Sequence, residues 1–266
     1  MPELLDKKIL KILDISDFIS LDIETTGLDY QKDDIIEFAA VHYQNGKAVE
    51  HINFFIRPTK AIPQNITRIT GITDADVANA RPFAEVLPQI QSFTGDYPLI
   101  AHNVNFDLPF LEYHARKSND NFVDWNNRKK EYHYFANRKI DTVILARLYL
   151  HFLPSSSLAT LREYFQFKVD TAHRALPDAE VTGKIFLELV KIALRTKLAD
   201  LQKILKLLEP AGEPIFDFFK KLALLQASGK FKFAEGIDRE SFAVNANYYN
   251  IIGEDETPSH KKFDLE

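Results

Sequence analysis

Two apolar segments on either side of Asn45-Gly46 constrain the fold of this 266-residue chain most strongly. Residues 34–43 and 48–56 are rich in the β-branched and aromatic side chains that favour strands. An Asn-Gly pair between two such runs predicts a tight hairpin turn. Residues 18–22 predict a further, buried strand ahead of this hairpin.

Downstream of the hairpin, strand and helix signals alternate. Apolar residues recur at helical spacing, Ser157 is a typical N-cap, and short apolar runs separate the helices. The remaining predicted elements are a first helix at 4–15, helices at 83–93, about 105–117, 158–165 and 178–195, and strands at 97–101 and 139–142, with Asp141 or Thr142 as the cap of a helix that follows the last strand. A hairpin followed by this alternation predicts an α/β layered domain with a mixed sheet.

Composition excludes several kinds of site. With no cysteine, the chain has no disulfide, thiolate zinc site or cysteine nucleophile. No apolar run is long enough to span a membrane and the first residues lack a signal-peptide pattern, so we expect a cytoplasmic location. The net charge of -5 argues mildly against broad electrostatic binding of nucleic acid but leaves room for a local basic track.

Two acids, Asp22 and Glu24, directly follow the predicted strand at 18–22. Because side chains alternate along a strand, positions two apart point to the same face. Like charges held together cost energy unless cations neutralise them. Taken alone, an Asp-x-Glu pair is more often two solvated turn acids. The Thr25-Thr26-Gly27 turn that follows, with exposed hydroxyls and amides, strengthens the functional interpretation because it suits the binding of a polar substrate end.

Two further acids lie at predicted helix starts, Asp107 and Asp178, and His173 precedes the second of them. Singly, each acid is explained by a favourable interaction with the helix dipole, and the histidine by a loop hydrogen bond. Together with Asp22 and Glu24, they form a set of four carboxylates and one imidazole. Such a set suits two divalent cations, Mg²⁺ with Mn²⁺ as a substitute, beside a general base. That chemistry hydrolyses phosphodiesters by a two-metal mechanism, with His173 accepting the proton of the attacking water.

These clusters resemble the three motifs of the DEDDh (DnaQ-like) 3′→5′ exonuclease family in the ribonuclease H-like superfamily. The resemblance covers about residues 16–195, and it includes the segment 68–73. It implies a five-stranded mixed sheet flanked by helices. It also implies 3′→5′ removal of nucleotides, with metal held by Asp22, Glu24, Asp107 and Asp178 and with His173 as the base. By the same resemblance, the terminal nucleotide would contact Thr25, Thr26, Gly27, Leu28, Asn103 and Phe106.

The chain changes character after the predicted nuclease domain at 1–196. Residues 197–266 predict a helical extension followed by a linker-like tail, and we expect the shorter 1–196 chain to fold and act without them. This region is faintly similar to the segment that follows the nuclease in DinG-type exonuclease–helicase fusions, although it carries no helicase motif. Residues 119–139 predict a polar, aromatic loop or insertion, whose basic residues are either a solvated surface or a track for phosphates and bases.

The sequence therefore favours a metal-dependent exonuclease of proofreading or repair type that acts on single-stranded or frayed 3′ DNA ends, with a DNA polymerase or helicase as a partner. Opening a mismatched end costs less than opening a paired one, which explains such a preference. Two alternatives stay open. One is an RNA-trimming exonuclease, which would need a contact to the 2′-hydroxyl. The other is a catalytically silent module that binds nucleic acid or a polymerase.

Overall fold

The computed structural model describes residues 5–118, 133–168, 174–211 and 215–229. Its strands are β1 (Asp17–Thr25), β2 (Ile35–Gln44), β3 (Lys47–Phe55), β4 (Leu99–Ala101) and β5 (Lys139–Asp141). Its helices are α1 (Lys7–Ile12), α2 (Gln64–Thr70), α3 (Asp74–Val77), α4 (Phe83–Thr94), α5 (Val104–Lys117), α6 (Thr142–Tyr149), α7 (Leu158–Tyr164), α8 (Ala175–Ala193), α9 (Leu198–Ala211) and α10 (Phe216–Ala227).

The five strands form one mixed sheet in the order β3-β2-β1-β4-β5. Strand β2 pairs antiparallel with both β1 and β3, whereas β4 pairs in parallel with β1 and with β5. Asn45 and Gly46 connect β2 to β3 with φ angles of 51° and 79°, the left-handed backbone that a two-residue hairpin turn requires. The predicted mixed α/β sheet and its hairpin are confirmed.

Helix α8 crosses one face of the sheet and is its main partner there. Phe18 of β1 stacks on Tyr43 of β2 at 4.8 Å between ring centroids and meets Phe186 of α8 edge-on at 5.1 Å. Gly183 allows the close approach of α8, because a Cβ at this position would lie 2.3 Å from the Tyr43 ring and 2.9 Å from the Ser20 hydroxyl. The middle of α8 is therefore held rigidly against the strand that carries the first acids.

Helices α4 and α5 cover the opposite face. Alternate residues of β1, namely Ile19, Leu21 and Ile23, pack there with Val86 and Ile90 of α4 and with Leu108 and Leu111 of α5. This alternation along β1 places successive side chains on the two sides of the sheet, as expected for a strand buried on both faces. Both layers of helices are thus anchored on the strand that leads to the functional acids.

Helix α10 joins the core on the α8 side. Phe218 lies 6.4 Å from Phe186 between ring centroids, and the Gln226 side chain donates to the Leu194 carbonyl at 2.6 Å. Arg138 links this helix to the sheet edge through an ion pair with Asp217 at 3.2 Å. The predicted helical character of the C-terminal region is confirmed for α9 and α10. The domain boundary at 196 stays a prediction.

Several predicted elements shift in detail. Helices α2 and α3 were not predicted, because their short, polar sequences lack an apolar stripe. Helix α8 begins at Ala175 rather than at Asp178. Of the predicted loop at 119–139, residues 119–132 lie outside the described residues. Arg138 is committed to ion pairs with Asp14 and Asp217, which makes it a structural residue rather than a member of a nucleic-acid track.

Candidate active site

Asp22 and Glu24 lie in the second half of β1, where the strand still pairs with β2. Asp22 is opposite Ala39, Glu24 is opposite Glu37, and the register slips immediately after Glu24. Because the two acids are separated by one residue of regular strand, their side chains emerge on the same face of the sheet. That face is the one covered by α8.

The first turn of α8 brings the third acid. Asp178 lies one turn after the N-cap residue Arg174. One carboxylate oxygen each of Asp22, Glu24 and Asp178 lies within 4.8 Å of the others. Residues 154 positions apart in the chain therefore meet at the junction of β1 and α8, as the motifs predicted.

Asp107 enters from the other layer, on the first turn of α5, and is buried. Asp107 is not one of the three acids whose oxygens lie within 4.8 Å of one another. Of the charges that raise the pKa of Asp22, however, that of Asp107 has the largest effect. Hydrogen bonds from the backbone of Asp107 itself and of Ile23 hold its carboxylate. The four predicted acids thus come together around the end of β1.

The acids perturb one another strongly. Burial and then the charges of Asp107, Glu24, Asp178 and Glu37 raise the pKa of Asp22 well above its ordinary value. Burial and the neighbouring acids raise the pKa of Glu24 to about 7. Burial likewise raises the pKa of Asp107. A group of carboxylates that resists ionisation without a counter-ion fits hard divalent cations, which prefer oxygen ligands and offset the mutual repulsion.

His173 lies outside the described residues, so its role stays a prediction. Arg174, the next residue in the chain, is described and is the N-cap of α8. Its guanidinium contacts Glu37 and lowers the pKa of Glu24. No sequence signal had marked Arg174 or Glu37.

The turn after β1 differs from expectation in one respect. The hydroxyls of Thr25 and Thr26 were expected to be exposed, but both threonines are buried. Thr25 donates to the Gly27 carbonyl at 2.6 Å and Thr26 accepts from the Asp34 amide at 2.9 Å. The expectation of exposed hydroxyls was wrong, because these groups satisfy the backbone of their own loop.

Gly27 and Leu28 complete this turn. A Cβ at Gly27 would lie 2.3 Å from the Asp33 carboxylate, so the close approach of these segments requires glycine. Leu28 has 84% of its surface exposed, an unusual state for a leucine next to a buried strand. Its assignment to the pocket for a terminal nucleotide stays a prediction, as do those of the other turn residues.

Asn103 and Phe106 lie at the start of α5. Asn103 adopts a left-handed conformation with φ of 74°. Phe106 is half-buried, and its ring lies 5.1 Å from that of Phe110. Both residues flank the turn of α5 that carries Asp107, which is consistent with their predicted contact to substrate without testing it.

Asp141 holds this end of α5 in place, a role larger than the cap of α6 that its position at a strand end predicted. One carboxylate oxygen accepts from the Asn103 amide at 3.1 Å and from the Val143 amide at 2.8 Å. The other accepts from the Val104 amide at 3.1 Å. One carboxylate therefore caps both α5 and α6.

His102 forms a hydrogen bond with the Thr142 hydroxyl at 2.8 Å, and Thr142 donates to the Ala101 carbonyl at 3.2 Å. Burial lowers the pKa of His102 to about 4. The histidine is therefore neutral at physiological pH and bridges two segments. Across the described ranges, the helices are all too short or too polar to cross a lipid bilayer.

Comparison with solved structures defines the fold first. The fold matches Escherichia coli exonuclease I, solved in complex with a dT13 oligonucleotide, with a TM-score of 0.54 and 21% identity, over 71% of this chain and 43% of that one. A second structure of exonuclease I, which suggests how that enzyme achieves processivity, matches with a TM-score of 0.54 and 20% identity over 71% and 45% of the two chains. The fold is thus the ribonuclease H-like α/β architecture of these nucleases.

The family follows from the sequence comparison. Residues 19–186 match the model of a family described as exonuclease. The DNA polymerase III subunit epsilon of Aquifex aeolicus is 32% identical over 174 residues, which are 65% of this chain and 80% of that protein. The chain belongs to this exonuclease family, and the family resemblance predicted from the three motifs is confirmed.

Longer relatives contain the same region. The PolC-type DNA polymerase III of Thermotoga maritima is 38% identical over 190 residues, 70% of this chain. The 3′-5′ exonuclease DinG of Bacillus subtilis is 38% identical over 176 residues, 65% of this chain. The chain matches only 13% and 18% of the length of these two proteins. DinG is thus a relative of this chain, whereas the faint similarity of residues 197–266 to the segment that follows the nuclease in DinG-type fusions stays a prediction.

Proposed function

We propose that this protein is a divalent-metal-dependent 3′→5′ exonuclease that removes nucleotides from DNA 3′ ends. The observation that carries the proposal is the meeting of Asp22, Glu24 and Asp178, with oxygens within 4.8 Å, in a chain of the exonuclease family. A structural role for three clustered acids would leave their mutual repulsion without compensation. A cation-binding role supplies that compensation.

The proposed metal site consists of Asp22, Glu24, Asp107 and Asp178, which hold two Mg²⁺ ions, with Mn²⁺ as a substitute. When bound, such ions acidify water and stabilise the charge that develops on a phosphodiester during hydrolysis. The trio of Asp22, Glu24 and Asp178 supports this assignment, and Asp107, whose charge raises the pKa of Asp22, would extend the site to a second ion.

The chain's own residues would perform the rest of the reaction. We assign His173 as the base that accepts the proton of the attacking water, since a histidine exchanges protons near neutral pH. The exposed Leu28 and the half-buried Phe106 would hold the terminal base by apolar contact. The buried Thr25 and Thr26 side chains would shape the turn, leaving Gly27 to present its backbone, and Asn103 would contribute polar groups at the start of α5.

DNA is the proposed substrate because relatives that share this region are DNA polymerase III proteins. An unpaired 3′ end enters a narrow site at lower cost than a paired one, which favours single-stranded or frayed ends. A polymerase or helicase partner is proposed on the same grounds, with a role in replication or repair. A cytoplasmic location belongs to this proposal.

The test compares end-labelled single-stranded DNA, duplex DNA with matched or mismatched 3′ ends, and RNA of the same sequence. Each substrate is incubated with Mg²⁺ or with chelator, and the variant Asp22→Asn serves as a control against contaminating nucleases. We expect stepwise shortening of the DNA from its 3′ end, fastest for single strands and mismatched ends, and only with Mg²⁺. Degradation of RNA alone would favour the exoribonuclease, and no degradation would favour a silent binding module.

A further inference from the structure

Glu37 is a fully buried acid near the start of β2, beside the proposed metal site. It stands directly opposite Glu24 in the antiparallel pair of β1 and β2. Residues that face each other in this way carry their side chains on the same face of the sheet. Two facing carboxylates, one of them fully buried, cost free energy unless one is neutralised, so the partners of Glu37 define its role.

Arg174 neutralises Glu37 through a bidentate ion pair. Its Nε donates to Oε2 and its Nη2 donates to Oε1, both at 3.1 Å. The backbone amide of Ala175 adds a bond to Oε2 at 3.2 Å, and the Asn53 side chain adds one to Oε1 at 3.2 Å. The Glu37 carboxylate is thus fully satisfied, and it caps α8 from a neighbouring strand.

The capping arrangement is unusual because the N-cap residue of α8 is an arginine that makes no side-chain cap bond of its own. Serine, threonine, asparagine and aspartate normally fill that position. Here the acceptor for the Ala175 amide comes from β2 instead. The start of α8 is therefore attached to the sheet through Glu37, by the ion pair with Arg174 and the hydrogen bond from the Ala175 amide.

This attachment positions the first turn of α8, which carries Asp178. Arg174 and Asp178 are four residues apart, about one turn or ~6 Å along the axis, and lie on the same side of the helix. His173 precedes Arg174 directly in the chain. Ten of the eleven buried residues of α8 lie from Ala179 onward, so the body of the helix is held by apolar packing. The ion pair acts on the first turn alone.

We propose that Glu37 and Arg174 are positioning residues that set the first turn of α8 against β1, so that Asp178 reaches the metal-binding position beside Asp22 and Glu24. This inference rests on the proposed function. In this role the pair would not itself touch the reacting atoms. It would act through the placement of Asp178.

The test uses two conservative variants, Arg174→Lys and Glu37→Gln, with Arg138→Lys as a matched control. Lysine keeps the positive charge but loses the planar fork that contacts both carboxylate oxygens. Arg138 also pairs with acids, Asp14 and Asp217, but at the sheet edge near α10. The control therefore reports the general effect of weakening a partly buried arginine contact.

The first readout is Mn²⁺ binding without substrate, followed by electron paramagnetic resonance of the free ion. We expect Arg174→Lys and Glu37→Gln to weaken Mn²⁺ binding by roughly 10-fold to 100-fold, the usual effect of removing a group that orients a metal ligand. The second readout is kinetics on a single-stranded oligonucleotide at saturating Mn²⁺. We expect kcat to fall by about 10²-fold, the effect of a misplacement of about 1 Å, with KM nearly unchanged.

Urea unfolding completes the design. The two variants should unfold at midpoints close to that of Arg138→Lys, because the body of α8 stays packed. The double variant Glu37→Gln/Arg174→Lys should lose little more than the worse single variant, since both changes break one contact. If one single variant does not fold, the other gives the answer.

The possible outcomes separate the two proposals. If the wild-type protein degrades no substrate, the proposed function fails. If the wild-type protein is active and binds Mn²⁺ while both variants match Arg138→Lys in Mn²⁺ affinity and kcat, the positioning role is wrong. Activity losses that only follow the unfolded fraction would also overturn it.

Discussion

Asp141 offers a quantitative test of how the α5 end of the site is held. Its two carboxylate oxygens accept three backbone hydrogen bonds, two on one oxygen from Asn103 and Val143 and one on the other from Val104. Burial raises the pKa of Asp141, while these three donors lower it and so favour the carboxylate. The substitution Asp141→Asn keeps the shape but replaces one acceptor oxygen with an NH₂ group.

The expected loss follows from the geometry. The amide oxygen of asparagine would still accept the hydrogen bonds from the Asn103 and Val143 amides. Its NH₂ group would face the Val104 amide, so that two donors would oppose each other. One hydrogen bond to a charged group is worth about 1.5–3 kcal/mol. We therefore expect Asp141→Asn to lower the free energy of unfolding by about 2 kcal/mol. Asp141→Ala, which abandons all three donors, should cost about 4 kcal/mol or more.

Urea unfolding at pH 7.5 followed by circular dichroism measures these values. Asp6→Asn is the matched control, because Asp6 caps α1 with a single bond to the Ile9 amide at 2.8 Å. Asparagine and aspartate are nearly equivalent at ordinary N-caps, so this control should lose less than about 0.5 kcal/mol. An Asp141→Asn protein as stable as the control, or one as unstable as Asp141→Ala, would refute the assignment of three converging donors to one carboxylate.

The remaining predictions concern the acids, the base and the C-terminal helices. Asp178→Ala should abolish turnover and weaken Mn²⁺ binding, as isothermal titration calorimetry would show. His173→Ala should slow hydrolysis by roughly 10²–10⁴-fold at neutral pH while leaving Mn²⁺ binding in place; full activity would exclude it as the base. In chelator, the free energy of unfolding should fall as pH rises from about 5 to about 8. The reason is that the pKa of Glu24 is raised from 4.5 to about 7, so the folded state holds this proton more tightly than the unfolded state. Urea titrations across this range would detect the loss, and Mg²⁺ at the upper pH should reverse it. A chain ending at residue 196 tests the predicted domain boundary. Because loss of α10 uncovers apolar surface on α8, we expect the truncated chain to have a lower melting temperature than the full chain. An unchanged melting temperature would support the boundary.

The acids of the site repel one another, and the fold must tolerate that repulsion. The pKa of Asp22, of Glu24 and of Asp107 is raised in each case, with burial as the largest cause. The apolar packing of α8 and α5 on the two faces of β1 brings these acids together and maintains them there. The acids therefore destabilise the folded chain at the site, and apolar packing in the core offsets this loss of stability. Such a pattern is expected where an arrangement of residues serves binding rather than folding.

Local patterns in the sequence were sufficient for most elements. The hairpin at Asn45-Gly46 follows from backbone preferences of two adjacent residues, which do not depend on distant contacts. Helices α4 and α5 follow from apolar spacing along one segment. The same kind of reasoning missed α2 and α3, because short helices without an apolar face are stabilised by their surroundings rather than by their own pattern.

The sequence by itself determined which acids would act together, because each of the motifs containing Asp22, Asp107 and Asp178 lies at the end of a predictable element. Only the tertiary structure decided how those elements are held. Glu37 and Arg174 are 137 positions apart, and Asp141 is 38 from Asn103. Buried hydrogen bonds between such distant groups form only after the chain has packed. No periodicity or spacing within one segment can therefore predict them.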